Sequence, residues 1–208
     1  MKIAKEGYRV IFVPALLTLV AVVLGWIWPA ALFALITAAF AAFFRDPDRV
    51  APPGEDLILS PADGRIVEMR EVKDTKGGAA KTRLSIFMSP LDVHVNRAPV
   101  GGRVEEVRYR KGRFIAAYKD DASENNERNT LVMVDSKGRK LELAQIAGVL
   151  ARRIVCRVNR GASLEAGERF GIIMFGSRVD VQLPPAARIE VAEGQHVRGG
   201  ETILARNI

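Results

Sequence analysis

Three residues that can do chemistry together stand in three short motifs of this sequence. Ser177 follows Gly176 between two hydrophobic runs, His94 ends the motif Met-Ser-Pro-Leu-Asp-Val-His, and Asp63 lies in Pro-Ala-Asp-Gly, at a turn that enters a strand. In nucleophilic catalysis an imidazole removes the proton of a hydroxyl, and a carboxylate orients the imidazole. The residue types therefore allow Ser-His-Asp chemistry.

Each of these residues also has an ordinary structural interpretation. A Gly-Ser step is commonly a turn, an aspartate before glycine commonly hydrogen-bonds its own backbone, and a lone histidine among apolar residues is commonly structural. Asp92 precedes His94 by two residues, so on a strand the two side chains would share a face. The G-x-S-x-G elbow of α/β-hydrolases is absent from the sequence. Residue types alone thus indicate no more than an unspecified hydrolase.

The region that holds these motifs is predicted to be almost entirely β. Apolar residues rich in Val and Ile alternate with polar ones, and Gly, Asp and Pro turns separate the runs. No amphipathic helix of three turns is predicted after Phe44. We therefore predict a mainly β domain, either a sandwich or a partly closed barrel. The clearest predicted strands are residues 64–68, 83–88, 102–109, 129–134, 140–147, 153–158, 171–175 and 179–183.

Two pieces of internal similarity support this fold class. Residues 161–170 and 194–203 share the pattern G-x-x-[LV]-x-x-G-E-x-[FI], and residues 64–68 are similar to residues 102–106. The first pattern resembles the turn-strand half-motif of biotinyl and lipoyl carrier domains, whose strands form a flattened sandwich. The lysine that those carriers modify is not evident here. The resemblance therefore implies a similar fold without the carrier function.

The N-terminal fifth of the chain differs in kind from the rest. Residues 10–44 carry no charge and are interrupted at Gly25 and Pro29. This length and apolar character predict a membrane-anchoring helical hairpin over residues 1–44 that bends near the glycine and the proline. Trp26 and Trp28 would be interfacial anchors near the bend. Whether the hairpin spans the bilayer or enters one leaflet is left open.

The charged flanks of the hairpin predict its orientation. By the positive-inside rule, both of its ends and the domain that follows face the cytoplasm, which places the protein at the cytoplasmic face of a cell membrane. A Pro-rich linker is predicted at residues 45–56 and a β-rich catalytic domain at residues 57–208. The basic residues that flank the hairpin are Lys2, Lys5, Arg9, Arg45 and Arg49.

Composition argues against several classes of site and partner. The formal net charge is +7, but no nucleic-acid recognition motif is present, so anionic lipid headgroups explain the charge more simply. Cys156 is the single cysteine, which predicts a buried, reduced thiol and no disulfide. With only two histidines and one cysteine, no metal site is predicted.

Taken in order, the motifs resemble those of the phosphatidylserine decarboxylases in their short, membrane-attached bacterial form. The matching motifs cover nearly all of the chain after the hairpin. They are Phe-Arg-Asp-Pro at 44–47, Ser-Pro-Ala-Asp-Gly at 60–64, Met-Ser-Pro-Leu-Asp-Val-His at 88–94 and Phe-Gly-Ser-Arg-Val-Asp at 175–180.

The resemblance implies a self-cleaving proenzyme. Ser177 would attack the carbonyl of Gly176, and the cut chain would form a heterodimer of a large β chain, residues 1–176, and a small α chain, residues 177–208. The former Ser177 would become a covalent pyruvoyl group. This group would form a Schiff base with the membrane lipid phosphatidylserine, release CO2 and yield phosphatidylethanolamine.

The resemblance also implies roles for the other two residues. Asp63 and His94 would assist self-cleavage, and His94 would also move a proton in turnover. Longer members of the family carry a second histidine where this chain has Arg97, so either one imidazole serves both stages or the roles are divided differently. His196 is expected to be a solvent-facing turn residue without a role.

Two other functions stay open on the sequence alone. One is a membrane-tethered β-sandwich binding module without catalysis, in which Gly176-Ser177 is a plain turn. The other is a Ser-His-Asp hydrolase that uses Ser177, His94 and Asp63. The residues that would bind the lipid phosphate, the lipid backbone (phosphatidylserine or archaetidylserine) and any higher oligomer are also left open.

Overall fold

The protein divides into a helical unit and a β unit. A computed structural model describes residues 2–72, 80–115, 122–148, 153–174 and 177–207. The two compact units are Met1–Asp48 and Arg49–Ile208.

Two helices, α1 (Gly7–Val23) and α2 (Ile27–Phe43), form the first unit and pack against each other. The chain turns between them at Gly25, whose φ is 72°. Both helices expose large apolar side chains, among them Trp28, which is 86% exposed. Within the described residues, neither helix nor any other combines the length and the apolar character that crossing a membrane requires. The two helices are confirmed, and their attachment to a membrane stays a prediction.

The beginning and the end of this unit are hydrogen-bonded to each other. The Ala4 N–H donates to the Phe44 carbonyl at 2.8 Å, and the Asp46 N–H donates to the Lys2 carbonyl at 2.8 Å. The Lys2 ammonium also pairs with the Asp48 carboxylate at 2.8 Å. The two charged flanks therefore lie together at one end of the hairpin.

The second unit is built of short antiparallel strands. Its described elements are β1 (Leu57–Leu59), β2 (Gly64–Val72), β3 (Lys81–Met88), β4 (Val95–Arg97), β5 (Gly102–Arg110), α3 (Ala122–Asn125), β6 (Arg128–Val134), β7 (Lys140–Ile146), β8 (Arg153–Cys156), β9 (Ser163–Leu164), β10 (Arg169–Met174), β11 (Ser177–Leu183), β12 (Arg188–Ile189), β13 (His196–Val197) and β14 (Ile203–Arg206).

The strands form one large sheet and two small ones. The large sheet has the order β13-β2-β3-β11-β7-β6-β5-β9, and the small sheets have the orders β1-β14-β12 and β4-β10-β8. Apolar side chains from all three sheets form a single core, for example Ile58, Ile173 and Leu143. The mainly β prediction is confirmed. Among the described strands the partly closed barrel is not observed, because β13 and β9 remain separate edges of the large sheet.

Each of the eight predicted strands overlaps an observed one, namely β2, β3, β5, β6, β7, β8, β10 and β11. Residue 175, the end of one predicted strand, lies outside the described residues. The remaining strands have only two to four residues. Alternation cannot be detected over such short runs, so it did not indicate them; the repeated turn-strand pattern covers β9 and β13 only.

The two repeated segments fold alike. Residues 161–170 form β9 and enter β10, and residues 194–203 form β13 and reach β14. In each segment a glycine with positive φ turns the chain between the strands, Gly167 at 80° and Gly200 at 77°. This similarity is internal, and the likeness to carrier domains is not confirmed.

Cys156 is less buried than predicted. It is half-buried in β8, and its thiol donates to the Val158 carbonyl at 3.4 Å. It packs against the edge of the core because β8 is an outer strand of its small sheet.

Candidate active site around Ser177

Ser177 is the first residue of β11 and is fully buried. It pairs with Met88, the last residue of β3, and its hydroxyl donates to the Met88 sulfur at 3.4 Å. Side chains alternate along a strand, so Ser177 shares the core-facing side of β11 with Val179 and Val181. The predicted cleavage-site partner, Gly176, lies outside the described residues.

Asp63 reaches the same edge of the large sheet as Ser177. β2 begins one residue after Asp63 and pairs with β3, whose end pairs with the start of β11. In antiparallel neighbours, the start of one strand lies beside the end of the next. The fold thus gathers Asp63, Met88 and Ser177 at adjacent strand ends.

The Asp63 carboxylate has long-range partners rather than those of an isolated turn. One oxygen pairs with the Arg49 guanidinium at 2.8 Å, and the other accepts the Gly199 N–H at 2.7 Å. Arg49 also pairs with Glu201 at 2.7 Å. The carboxylate is therefore held between residues that lie before and after Ser177 in the chain.

His94 is fully buried in the connection between β3 and β4. Its Nδ1 lies 2.9 Å from the Asp92 carbonyl oxygen. A carbonyl oxygen only accepts, so Nδ1 carries the proton, and in the neutral ring Nε2 keeps a lone pair. The His94 carbonyl accepts the N–H of Ile173, at 3.3 Å, on the strand that leads towards Ser177. His94 thus has the tautomer of a general base.

Asp92 connects the two histidines of the chain. Its carboxylate accepts the Ser89 N–H at 2.8 Å and lies 3.4 Å from Nε2 of His196. Asp92 and His94 lie in a loop, so the shared strand face considered above does not exist. His196 is exposed, as predicted, but it belongs to β13 rather than to a turn.

A buried charged cluster follows Ser177 directly, and the sequence reasoning missed it. The Arg178 guanidinium is fully buried. It donates to Asp180 at 2.7 Å and contacts the Glu68 carboxylate and the Ser85 hydroxyl. The sequence does carry a pattern that indicates this cluster: Arg178 and Asp180 occupy alternate positions of a strand whose other face is apolar.

The charges of this cluster set the acidity of Glu68. Burial alone opposes ionisation of its carboxyl group, but the hydrogen bond from Arg178 and the positive charge of Arg83 outweigh that effect. The pKa of Glu68 is therefore lowered from its usual value of 4.5.

Arg97, at the position where the resemblance implied a second histidine in longer members of the family, has a structural contact here. It is nearly fully buried in β4. Its guanidinium donates to the Gly167 carbonyl at 3.0 Å, and its backbone N–H donates to the Pro61 carbonyl at 2.9 Å. It thereby connects the loop before Asp63 with the turn before β10.

A cavity of about 380 Å³ lies elsewhere in the second unit, beside Asp56, Lys137 and Arg139. None of the three predicted catalytic residues lines it. It therefore does not identify the residues that bind a substrate.

Comparison with known proteins gives the family. Residues 36–205 match the family described as phosphatidylserine decarboxylase. The chain belongs to this family. It is 46% identical to the phosphatidylserine decarboxylase proenzyme of Wolbachia sp. subsp. Brugia malayi (strain TRS), over 98% of this chain and 90% of that protein.

Proteins of the same name from other bacteria are as similar. The protein from Nitratidesulfovibrio vulgaris is 44% identical over 99% of this chain and 95% of its own length. The protein from Ralstonia nicotianae is 45% identical over 98% of this chain and 94% of its own length. The resemblance that the motifs indicated is confirmed, and neither the binding module nor the hydrolase is favoured.

The lowered pKa of Glu68 predicts how stability depends on pH. A depressed carboxyl pKa contributes stability above the unfolded-state value, 4.5, and this contribution disappears as the pH falls through the folded-state value. In Glu68→Gln we expect a lower free energy of unfolding at neutral pH and a smaller further loss in acid. Urea unfolding from neutral pH down to about 3 measures this. The exposed Glu71→Gln is the control, and a Glu68→Gln deficit that is equal at every pH contradicts the assignment.

Proposed function

We propose that this chain is a phosphatidylserine decarboxylase proenzyme that cuts itself before Ser177. The cut gives residue 177 a pyruvoyl group, and the processed enzyme releases CO2 from phosphatidylserine to leave phosphatidylethanolamine. The observation that carries the proposal is the buried hydroxyl of Ser177 at the start of a central strand. Asp63 lies just before β2, the next strand but one, at the same edge of the sheet. The names of the relatives, which are proenzymes, support it.

The cut begins with an attack by the Ser177 hydroxyl on the carbonyl carbon of the preceding residue. The hydroxyl proton passes to a base, for which Nε2 of His94 has the right tautomer. The carbon–nitrogen bond breaks, so that an ester replaces the amide. Removal of the Ser177 Cα proton then expels the ester as the carboxylate end of the large chain. Water replaces the nitrogen of the remaining enamine, and ammonia leaves.

Residue 177 fits a pyruvoyl group because its side chain is fully buried on the core face of β11, away from water. The pairing with Met88 holds the new chain end in place, and the Arg178 cluster holds the next residue. When formed, the pyruvoyl carbonyl supplies an electron sink for the loss of CO2. His94 would hold the proton that is returned to the carbon that loses CO2.

The two fragments are expected to stay together as a heterodimer after the cut. β11 of the small chain lies between β3 and β7 of the large chain, and β14 pairs with β1. Arg178 also contacts Glu68 across the two chains. Breaking the one peptide bond before the first residue of β11 removes none of these interactions.

We further propose that the helical hairpin attaches the enzyme to the cytoplasmic face of the cell membrane. Exposed apolar side chains on both helices support this, since such surfaces mark contact with lipid or protein. Both charged flanks lie at one end of the hairpin, so both fit the cytoplasmic side. Attachment brings the enzyme to a substrate whose headgroup lies at the bilayer surface.

Replacing the nucleophile tests the proposed cut. Ser177→Ala removes the hydroxyl, so we expect a single uncut chain of 22.8 kDa without decarboxylase activity. The wild type and the control Ser163→Ala should each give a large fragment and a small one on a denaturing gel. Two fragments from Ser177→Ala would remove Ser177 from the reaction.

Variants of the two assisting residues test their roles. His94→Ala should slow the appearance of fragments by about a hundredfold or more, because general-base catalysis contributes at least that much. Asp63→Asn should also slow it, because the carboxylate between Arg49 and Gly199 loses its charge. Asp135→Asn, which alters a carboxylate that binds Arg139, is the control. Normal cleavage in both test variants would show that neither assists.

Substitutions in the hairpin test the membrane attachment. Ile27 and Leu35 are 77% and 69% exposed, so an aspartate at either position would put a charge where the proposal puts lipid. Ile27→Asp and Leu35→Asp should reduce co-flotation with anionic phospholipid vesicles by at least about tenfold. Val50→Asp, at an exposed site of the second unit, should float like the wild type. Equal flotation of all variants would exclude the hairpin as the anchor.

A further inference from the structure

A line of buried amide side chains leads from β6 to the contact between Ser177 and Met88, and the reaction described above does not use it. Asn129 Nδ2 donates to Gln145 Oε1 at 3.0 Å, and Gln145 Nε2 donates to Asn96 Oδ1 at 2.8 Å. The exposures of Asn129, Gln145 and Asn96 are 3%, 0% and 0%. A polar line this deep in a β core needs an explanation.

The direction of these bonds determines how the Asn96 carboxamide is turned. Its oxygen accepts from Gln145, so its NH2 group faces the other way. There Nδ2 lies 3.9 Å from the Met88 sulfur, and the Ser177 hydroxyl oxygen lies 3.4 Å from the same sulfur. The amide donor and the nucleophile thus approach a single atom.

The Met88 sulfur is a poor partner for an amide donor. A thioether accepts hydrogen bonds only weakly, and a buried donor without a full hydrogen bond is costly. Donors held in this way are effective in catalysis when they face an oxygen that becomes negative only during the reaction. The Asn96 NH2 group has the burial and the fixed orientation for such a role, and it contacts the same sulfur as the Ser177 hydroxyl.

The backbone leaves room for this line at Gly171 in β10. A Cβ atom at Gly171 would lie 2.8 Å from Gln145 Nε2 and still closer to the Val155 carbonyl oxygen. Any other residue would displace the Gln145 amide from Asn96. The glycine therefore serves the amide line as well as the strand pairing.

We infer that the Asn96 carboxamide stabilises the oxyanion of the self-cleavage step, an inference that rests on the proposed function. When the Ser177 oxygen bonds to the carbonyl carbon of Gly176, the carbonyl electron pair moves onto its oxygen, and the hydroxyl proton goes to His94. Asn96 Nδ2 donates to that oxygen. Collapse of the oxyanion breaks the carbon–nitrogen bond, and the released amine takes the proton from His94. Gln145 acts as a positioning residue for Asn96.

The first test removes the donor. In Asn96→Leu, freshly synthesised chain should yield the small fragment about a hundredfold more slowly than the wild type, which is the usual effect of losing one such donor. The matched control is Asn126→Leu. Asn126 is also fully buried, but its amide donates to the carbonyls of Ile115 and Ala147. Thermal unfolding identifies which variants fold, and the control should cleave at the wild-type rate.

The second test reverses the amide without changing Asn96. Gln145→Glu replaces the donor beside Asn96 Oδ1 with an acceptor, so the Asn96 carboxamide turns round and presents its oxygen to Ser177. The same slowing is expected. A purely packing role for Asn96 would leave cleavage at the wild-type rate in Gln145→Glu. This variant also decides the question if Asn96→Leu does not fold.

Hydroxylamine identifies the step affected, because it cuts an ester but not an amide. Uncut Asn96→Leu should stay intact in hydroxylamine, since the ester does not form. Wild-type cleavage rates in folded Asn96→Leu and Gln145→Glu, or an ester that accumulates in either, would overturn the inference. If the wild type itself stays uncut, the proposed function fails, and the inference fails with it.

Discussion

The arrangement of the site depends most on the pairing of β11 with its two neighbours. The strand makes seven residue pairs with β3 and five with β7, so it lies inside the large sheet and not at an edge. A protein that cuts its own chain must keep both pieces folded. A cut before the first residue of a central strand meets this requirement, since all the pairs lie on the far side of the broken bond. The same pairing buries the hydroxyl at position 177.

The buried charges reinforce this arrangement. An arginine inside a sheet is tolerated only when its charge is paired and its donors are used. Arg178 contacts Asp180 on its own strand, Glu68 on β2 and Ser85 on β3. The charge is compensated only while these strands are assembled. Assembly of the sheet therefore also places Ser177, the residue before Arg178.

Much of the fold could be predicted from the sequence, and there is a physical reason why the contacts of the site could not. Alternation reveals which residues of a strand share a face, which is why β11 was recognisable over residues 179–183. The two residues by which it begins earlier, Ser177 and Arg178, were not assigned to it. Alternation does not reveal which distant strands pair, or in what register. Three features depend on this register: the contacts of Arg178, the ion pair of Arg49 with Asp63, and the hydrogen bond from Gln145 to Asn96. The short strands also escaped, because they are too brief to alternate.

Intact-mass measurement of purified, active wild-type protein tests the central claim most directly. The account predicts two masses, for residues 1–176 and 177–208, with the smaller one lighter than its sequence by one ammonia. Treatment with borohydride should shift the mass of that small chain only. A single mass that equals the unmodified 208-residue chain, found in active enzyme, would contradict the account.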